Sequence, residues 1–174
     1  LKQENEPALL RPNRIVAVAL THGHLDHTWG LLPFLQTLSL DGRQQPLVVY
    51  GPTSNVILDA LEANGIDAKL SEDTPSAELL NQYRSWFSLG GTAGHLGYPI
   101  RWLLGDPKSG RWVEFTDNAT DLVWHDSMPQ PDSFTSFRMD SIPTSHSVPS
   151  CAWQLLRKER KGAFDRDKAT LAGL

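Results

Sequence analysis

Residues 15–20 read Ile-Val-Ala-Val-Ala-Leu, an unbroken apolar run that predicts a strand buried on both faces. Its C-terminal end delivers Thr21 and His22. After His27 the apolar positions Trp29, Leu31, Leu32, Phe34, Leu35 and Leu38 follow mixed helical spacing, with Pro33 near the start, and predict a helix up to about Leu40. Residues 46–50 form a second short apolar strand closed by Gly51 and Pro52. Thr53 or Ser54 can cap the next helix, which places Val56, Ile57, Ala60 and Leu61 on one side and stops at Asn64 and Gly65. A third helix is expected to start at Thr74 and Pro75, to bury Leu79, Leu80, Tyr83, Trp86 and Phe87, and to end at Gly90 and Gly91.

Residues 90–99 are glycine-rich and read as a loop. Strands follow over 112–115, 122–125, 134–142 and 151–156, separated by clusters of Asn, Asp, Gly and Pro. Alternating strands and helices followed by strands make the fold class α/β. Trp29, Trp86 and Trp153 lie in apolar patterns and are expected to build core rather than to stack bases. The chain has no internal repeat, and its one shift in composition is the charged run over 157–168.

Composition narrows the function classes only a little. With 40% hydrophobic and 21% charged residues, the 174-residue chain falls in the range of an ordinary globular domain. A net charge of -4 and a pI near 5.8 offer no general attraction to a polyanion, so contact with nucleic acid would need a local basic patch. A lone cysteine, Cys151, excludes an intrachain disulfide framework and a thiolate zinc site, and fits a reducing, cytoplasmic setting. Residues 1–14 carry charged and proline residues where a secretory signal needs an apolar core, and no stretch approaches the length of a membrane span. Beginning at Leu1 without an initiator methionine, the chain is expected to be a piece of a longer protein.

The chemistry concentrates in Thr21-His22-Gly23-His24-Leu25-Asp26-His27, which packs three imidazoles and one carboxylate directly after the first strand. Histidine and aspartate are the usual nitrogen and oxygen ligands of Zn²⁺, and a loop at a strand's C-terminal end can turn alternate side chains inward. His22 and His24, two apart, suit one metal. Asp26 and His27, being adjacent, suit a second one close by, as two-metal hydrolysis of phosphate esters requires. Gly23 leaves the backbone room to turn. His95 and His125 stand outside any ligand spacing and are expected to be surface or structural residues.

This His-x-His-x-Asp-His pattern, with its preceding strand and the Gly30-Leu31-Leu32-Pro33 helix start, resembles the second motif of metallo-β-lactamase-fold hydrolases. Within them, several segments resemble the ribonuclease Z family. Val49-Tyr50-Gly51-Pro52 matches a strand ending there in Tyr-Gly-Pro, and Ser145-His146-Ser147-Val148-Pro149-Ser150 its next ligand motif. Residues 157–174, with Lys158-Glu159, Lys161-Gly162, Phe164-Asp165 and Lys168-Ala169, are similar to the entry into its tRNA-binding arm. Glycine more usually lies between the second histidine and the aspartate, where this chain has Leu25 and places its glycine at position 23.

The resemblance implies a metallo-β-lactamase fold, an αββα sandwich incomplete in this chain, with residues 1–156 as a partial domain and 157–174 as the start of a charged projecting arm. It implies His22, His24 and His146 as ligands of one Zn²⁺, and Asp26 and His27 as ligands of another, Asp26 also orienting or deprotonating the attacking water. The family's bridging aspartate and last histidine lie beyond its arm and have no counterpart here. Endonucleolytic 3′ processing of precursor tRNA by a cytoplasmic homodimer is the implied function, with Arg157, Lys158, Arg160 and Lys161 meeting tRNA phosphates. Interspersed Glu159, Asp165 and Asp167 equally describe a solvated surface. Two alternatives stay open: another hydrolase of the same fold acting on a small phosphodiester or ester, and a non-catalytic subunit or fragment lacking the downstream ligands.

Overall fold

A computed structural model describes residues 11–88, 96–116, 122–158, 166–171 and 173. Five strands form one mixed sheet in the order β1 (Ala17–Ala19), β2 (Leu47–Pro52), β3 (Ile100–Gly105), β4 (Trp112–Thr116), β5 (Val123–His125). The first three run parallel, and β4 and β5 continue antiparallel. Two further strands, β6 (Phe137–Pro143) and β7 (Cys151–Arg157), pair as a separate antiparallel ribbon.

Alternation along the strands divides the core into two layers. Leu47 and Val49, Ile100, Trp102 and Leu104, and Val113 and Phe115 face one side. There they meet α2 (Leu31–Leu40), α3 (Asn55–Asn64) and α4 (Leu79–Ser88), which bury Leu35 and Leu38, Leu58 and Leu61, and Leu80 and Tyr83. Val48, Tyr50, Leu103 and Trp112 face the other side, where Met139 of β6 and Trp153 of β7 close on them with Met128 and Phe134. Helices, sheet and ribbon thus stack in that order, the α/β arrangement expected for a metallo-β-lactamase fold.

Several elements depart from the sequence pattern. The first strand covers only Ala17–Ala19 and is half-buried, because β1 has a neighbour on one side alone among the described residues. The central strand β3 has no prediction at all. The helix expected from Thr74 begins instead at Leu79: residues 75–78 form a separate turn, with Glu78 N–H donating to the Pro75 carbonyl at 2.9 Å. The helix expected after His27 is split into the single turn α1 (Leu25–Thr28) and α2. Trp29, at that break, is 74% exposed rather than core, whereas Trp86 and Trp153 pack as expected. His125 bonds Glu114 at 3.2 Å, the structural role anticipated for it, and His95 lies outside the described residues.

Candidate metal centre

Two loops meet at the C-terminal end of β1. Leu20 N–H donates to the Tyr50 carbonyl at 2.9 Å, while the Leu20 carbonyl accepts from the Trp153 indole at 3.0 Å. One residue on, the Thr21 carbonyl accepts from Cys151 N–H at 2.9 Å. Residues 20 and 21 are therefore stitched to β2 on one side and to β7 on the other. Residues 144–150, which join β6 to β7, close at their base through Thr144 N–H to the Ser150 carbonyl at 3.2 Å and a 2.8 Å contact between the two hydroxyls. Because β7 starts from the atom bonded to Thr21, the 144–150 loop hangs directly over residues 22–24.

That stitching brings His146 to the first histidines across 122 positions of sequence. Its Nε2 lies 3.2 Å from His24 Nδ1, and its ring centroid is 4.6 Å from that of His22. One nitrogen from each of His22, His24 and His146 can be chosen so that all lie within 4.8 Å of one another. Two ligand nitrogens of a tetrahedral Zn²⁺ at about 2.1 Å stand about 3.4 Å apart, so the His24–His146 pair already has the spacing of a shared ion. All three donors are imidazole nitrogens, a set that suits a borderline-soft divalent cation. The residues present fit the group.

Electrostatics favours the ligating form of the most enclosed ring. His22 is buried, and its pKa lies below the ordinary imidazole value, chiefly through burial and then through repulsion from His27, His146 and His24, against a smaller opposing pull from Asp26. Its neutral state leaves a lone pair for a metal. Thr21 Oγ1 bridges His22 Nδ1 at 3.1 Å and His27 Nδ1 at 3.4 Å, so the threonine that opens the motif orients two rings.

Asp26 and His27 sit on α1 beside this cluster rather than within it. The His27 ring centroid is 4.0 Å from that of His22, yet its Nε2 turns to Asp26 Oδ2 at 3.5 Å, with the Asp26 side chain 79% exposed. Of the basic positions singled out in the sequence, Arg157 ends β7, and Lys158 donates to the Phe134 carbonyl at 3.0 Å. Arg160 and Lys161 lie outside the described residues.

A bracket beneath the loop has no motif of its own. The Gln82 amide on α4 donates to the Gly23 carbonyl, and Ala77 backbone presses against Gly23 so closely that no side chain fits there. The start of α4 is anchored in turn by buried Glu78, whose Oε1 accepts from Thr53 Oγ1 at 2.7 Å. Burial pushes the Glu78 carboxyl pKa up, more than the bonds from Thr53 and from Leu80 and Leu79 N–H pull it down. A raised folded-state value means the native protein holds the Glu78 proton better than the unfolded chain, so this contribution is present in acid and lost as pH rises through the folded pKa. Glu78→Gln is accordingly expected to flatten that loss, its urea midpoint gaining on wild type between pH 4 and pH 8. An unchanged difference would show the carboxyl is not the cause.

Comparison with known proteins places the histidine loop inside a region of family similarity. Residues 4–43 match the family model described as the metallo-beta-lactamase superfamily. Over 152 residues the chain is 26% identical to Ribonuclease Z of Archaeoglobus fulgidus, covering 87% of this chain and 34% of that protein. It is 35% identical to Ribonuclease Z of Pyrococcus furiosus over 107 residues, 57% of this chain and 35% of the other. Ribonuclease Z of Prochlorococcus marinus is 26% identical over 165 residues, 95% of this chain and 39% of that one. The chain is similar to ribonuclease Z over most of its length. It spans 34–39% of the length of these three curated relatives. That superfamily implies a divalent metal, and the His22, His24 and His146 triad could hold one. Among the described residues no helix is long and apolar enough to cross a membrane.

Proposed function

We propose that this chain carries metal-ligating residues of a zinc-dependent phosphodiesterase of the ribonuclease Z kind, acting endonucleolytically at the 3′ end of precursor tRNA. The observation that carries the reading is the convergence of His22, His24 and His146 from loops 122 positions apart. Those three would hold one Zn²⁺, and Asp26 with His27 would contribute to a second. When bound, such an ion pair lowers the pKa of water towards neutrality and stabilises charge on phosphoryl oxygens.

The chain's own groups divide the remaining work. Asp26, exposed beside His27, is an acceptor when ionised and can orient or deprotonate an attacking water. Thr21 holds His22 and His27 in register. With a net charge of -4, attraction for RNA must come from local cations, and Arg157, Lys158, Arg160 and Lys161 are the proposed phosphate contacts in the arm. A homodimer working in the cytoplasm follows from the same reading.

Zinc analysis of the purified chain after dialysis, with precursor tRNA and bis(p-nitrophenyl) phosphate as parallel substrates, tests the proposal. At least one zinc ion per chain, held by His22, His24 and His146, and preference for the tRNA are expected. A chain that retains no zinc overturns the hydrolase reading, and cleavage of the small diester alone replaces tRNA with a small substrate.

A further inference from the structure

Beside the histidine triad lies an open cleft of about 710 Å³ that the metal chemistry does not use. His146 lines it, so it is continuous with the proposed reaction centre. Its other walls come from the start of α3 (Ser54 and Asn55), the β3–β4 turn (Lys108) and the 144–150 loop (Ser145 and Ser147). The lining is rich in hydroxyl and amide donors, the groups that meet sugar and phosphate oxygens.

Charge in this cleft is asymmetric. Asp106 also lines it, but that carboxylate is buried and turned to its own turn: its two oxygens accept from Lys108 N–H at 3.1 Å and Ser109 N–H at 3.2 Å. The Lys108 side chain is exposed, and among the described residues its ammonium makes no salt bridge. Arg101, Arg111 and Arg138, by contrast, are each consumed by a carboxylate. Ser54, which precedes α3, makes no capping bond with its side chain. Among the described residues the cleft therefore presents the Lys108 cation and the Ser54 hydroxyl beside His146.

Resting on the phosphodiesterase reading above, we infer that this cleft is the subsite for the nucleotide adjoining the scissile phosphate, with Lys108 binding its phosphodiester. The turn formed by residues 106–110 sets Lys108 at the cleft wall, and Asp106 acts as the carboxylate that shapes that turn. The contact is to backbone phosphate, so it adds affinity for any single-stranded ribonucleotide without reading its bases.

The test is fluorescence anisotropy of the full 174-residue chain with a fluorescein-labelled uridine tetranucleotide, across a salt series. Lys108→Ala is expected to weaken binding about three- to tenfold at low salt and to reduce the slope of log affinity against log salt by about 0.7. Lys108→Arg should keep both, and Lys69→Ala, which removes the same charge from an exposed position outside the cleft lining, should change neither. A Lys108→Ala chain that binds as wild type does, a Lys69→Ala loss of equal size, or a wild-type chain that does not bind the probe each overturns the inference. The same comparison after chelation of zinc separates the two readings. A Lys108 effect without zinc retention supports the subsite while the metal proposal fails, and zinc retention without a Lys108 effect does the reverse.

Discussion

His22→Ala is expected to abolish tight zinc binding while leaving the chain folded, with zinc affinity falling more than about a hundredfold, since loss of a mere supporting partner already costs about ten- to a hundredfold. His22 is the most enclosed of the three rings and lies within 5 Å, centroid to centroid, of His24, His27 and His146 alike. Removing it takes a donor from the proposed first ion and the ring against which His27 packs. The fold itself depends little on His22, because the strand end is held by backbone bonds from Leu20 and Thr21 to Tyr50 and Cys151. Isothermal titration with zinc, alongside a thermal melt of the metal-free chain, separates these effects. Wild-type zinc affinity in the variant would remove His22 from the ligand set. A collapse of the metal-free melt would make it a structural residue.

His125→Ala provides a contrast, because that histidine serves the sheet. It bonds Glu114, which also takes a bidentate pair from Arg101 at 2.6 and 2.8 Å. Those contacts hold the Glu114 pKa below the usual carboxylate range, the Arg101 bond contributing most. Loss of His125 is expected to leave zinc affinity unchanged and to lower stability by about 1 kcal/mol. A change in zinc binding would place His125 in the site after all.

What could be read from the sequence was what is local. His22, His24, Asp26 and His27 fall within six consecutive residues, so their density is visible without a fold. His146 is different: its own spacing says nothing, and only its resemblance to a ligand motif and the strand-like run before it pointed to the cluster that the structure places 3.2 Å away. β3 escaped notice because Arg101 interrupts its apolar run and a glycine-rich stretch precedes it. The charge is paired chiefly with Glu114, thirteen positions on, and that partnership exists only once β3 and β4 are paired. Trp29 misled in the opposite direction. It continues the apolar pattern, but the turn between α1 and α2 carries it out to solvent. Gln82 and Glu78 carried no signal, since a bond to a backbone carbonyl or a buried hydroxyl leaves no mark on spacing.

Gly23→Ala is expected to damage both stability and metal binding, and it tests how the α4 bracket shapes the loop. A Cβ at position 23 would collide with the Ala77 carbonyl oxygen and lie 3.1 Å from Gln82 Nε2. The obstacle in that collision is backbone, held in place by the Glu78 anchor and the turn before α4. The Ala77 backbone cannot yield by rotating a side chain, so residues 22–24 must move away from α4 and lose the Gln82 bond to the Gly23 carbonyl. His22 and His24 flank the displaced residue, and a shift of an ångström spoils a ligand geometry that tolerates only about 0.2 Å. A stability loss of about 1–3 kcal/mol is expected from the overpacking, together with at least a tenfold loss in zinc affinity. Gly30→Ala is the matched control: a Cβ there meets nothing within 4 Å and the backbone is already at φ -78, so neither property should move. Close packing at position 23 also accounts for this chain keeping its glycine there and spending position 25 on leucine, which is 59% exposed and meets no such wall. Urea melts and zinc titrations on the two variants decide the matter. A Gly23→Ala protein matching Gly30→Ala in both would mean that α4 leaves the histidine loop free to move.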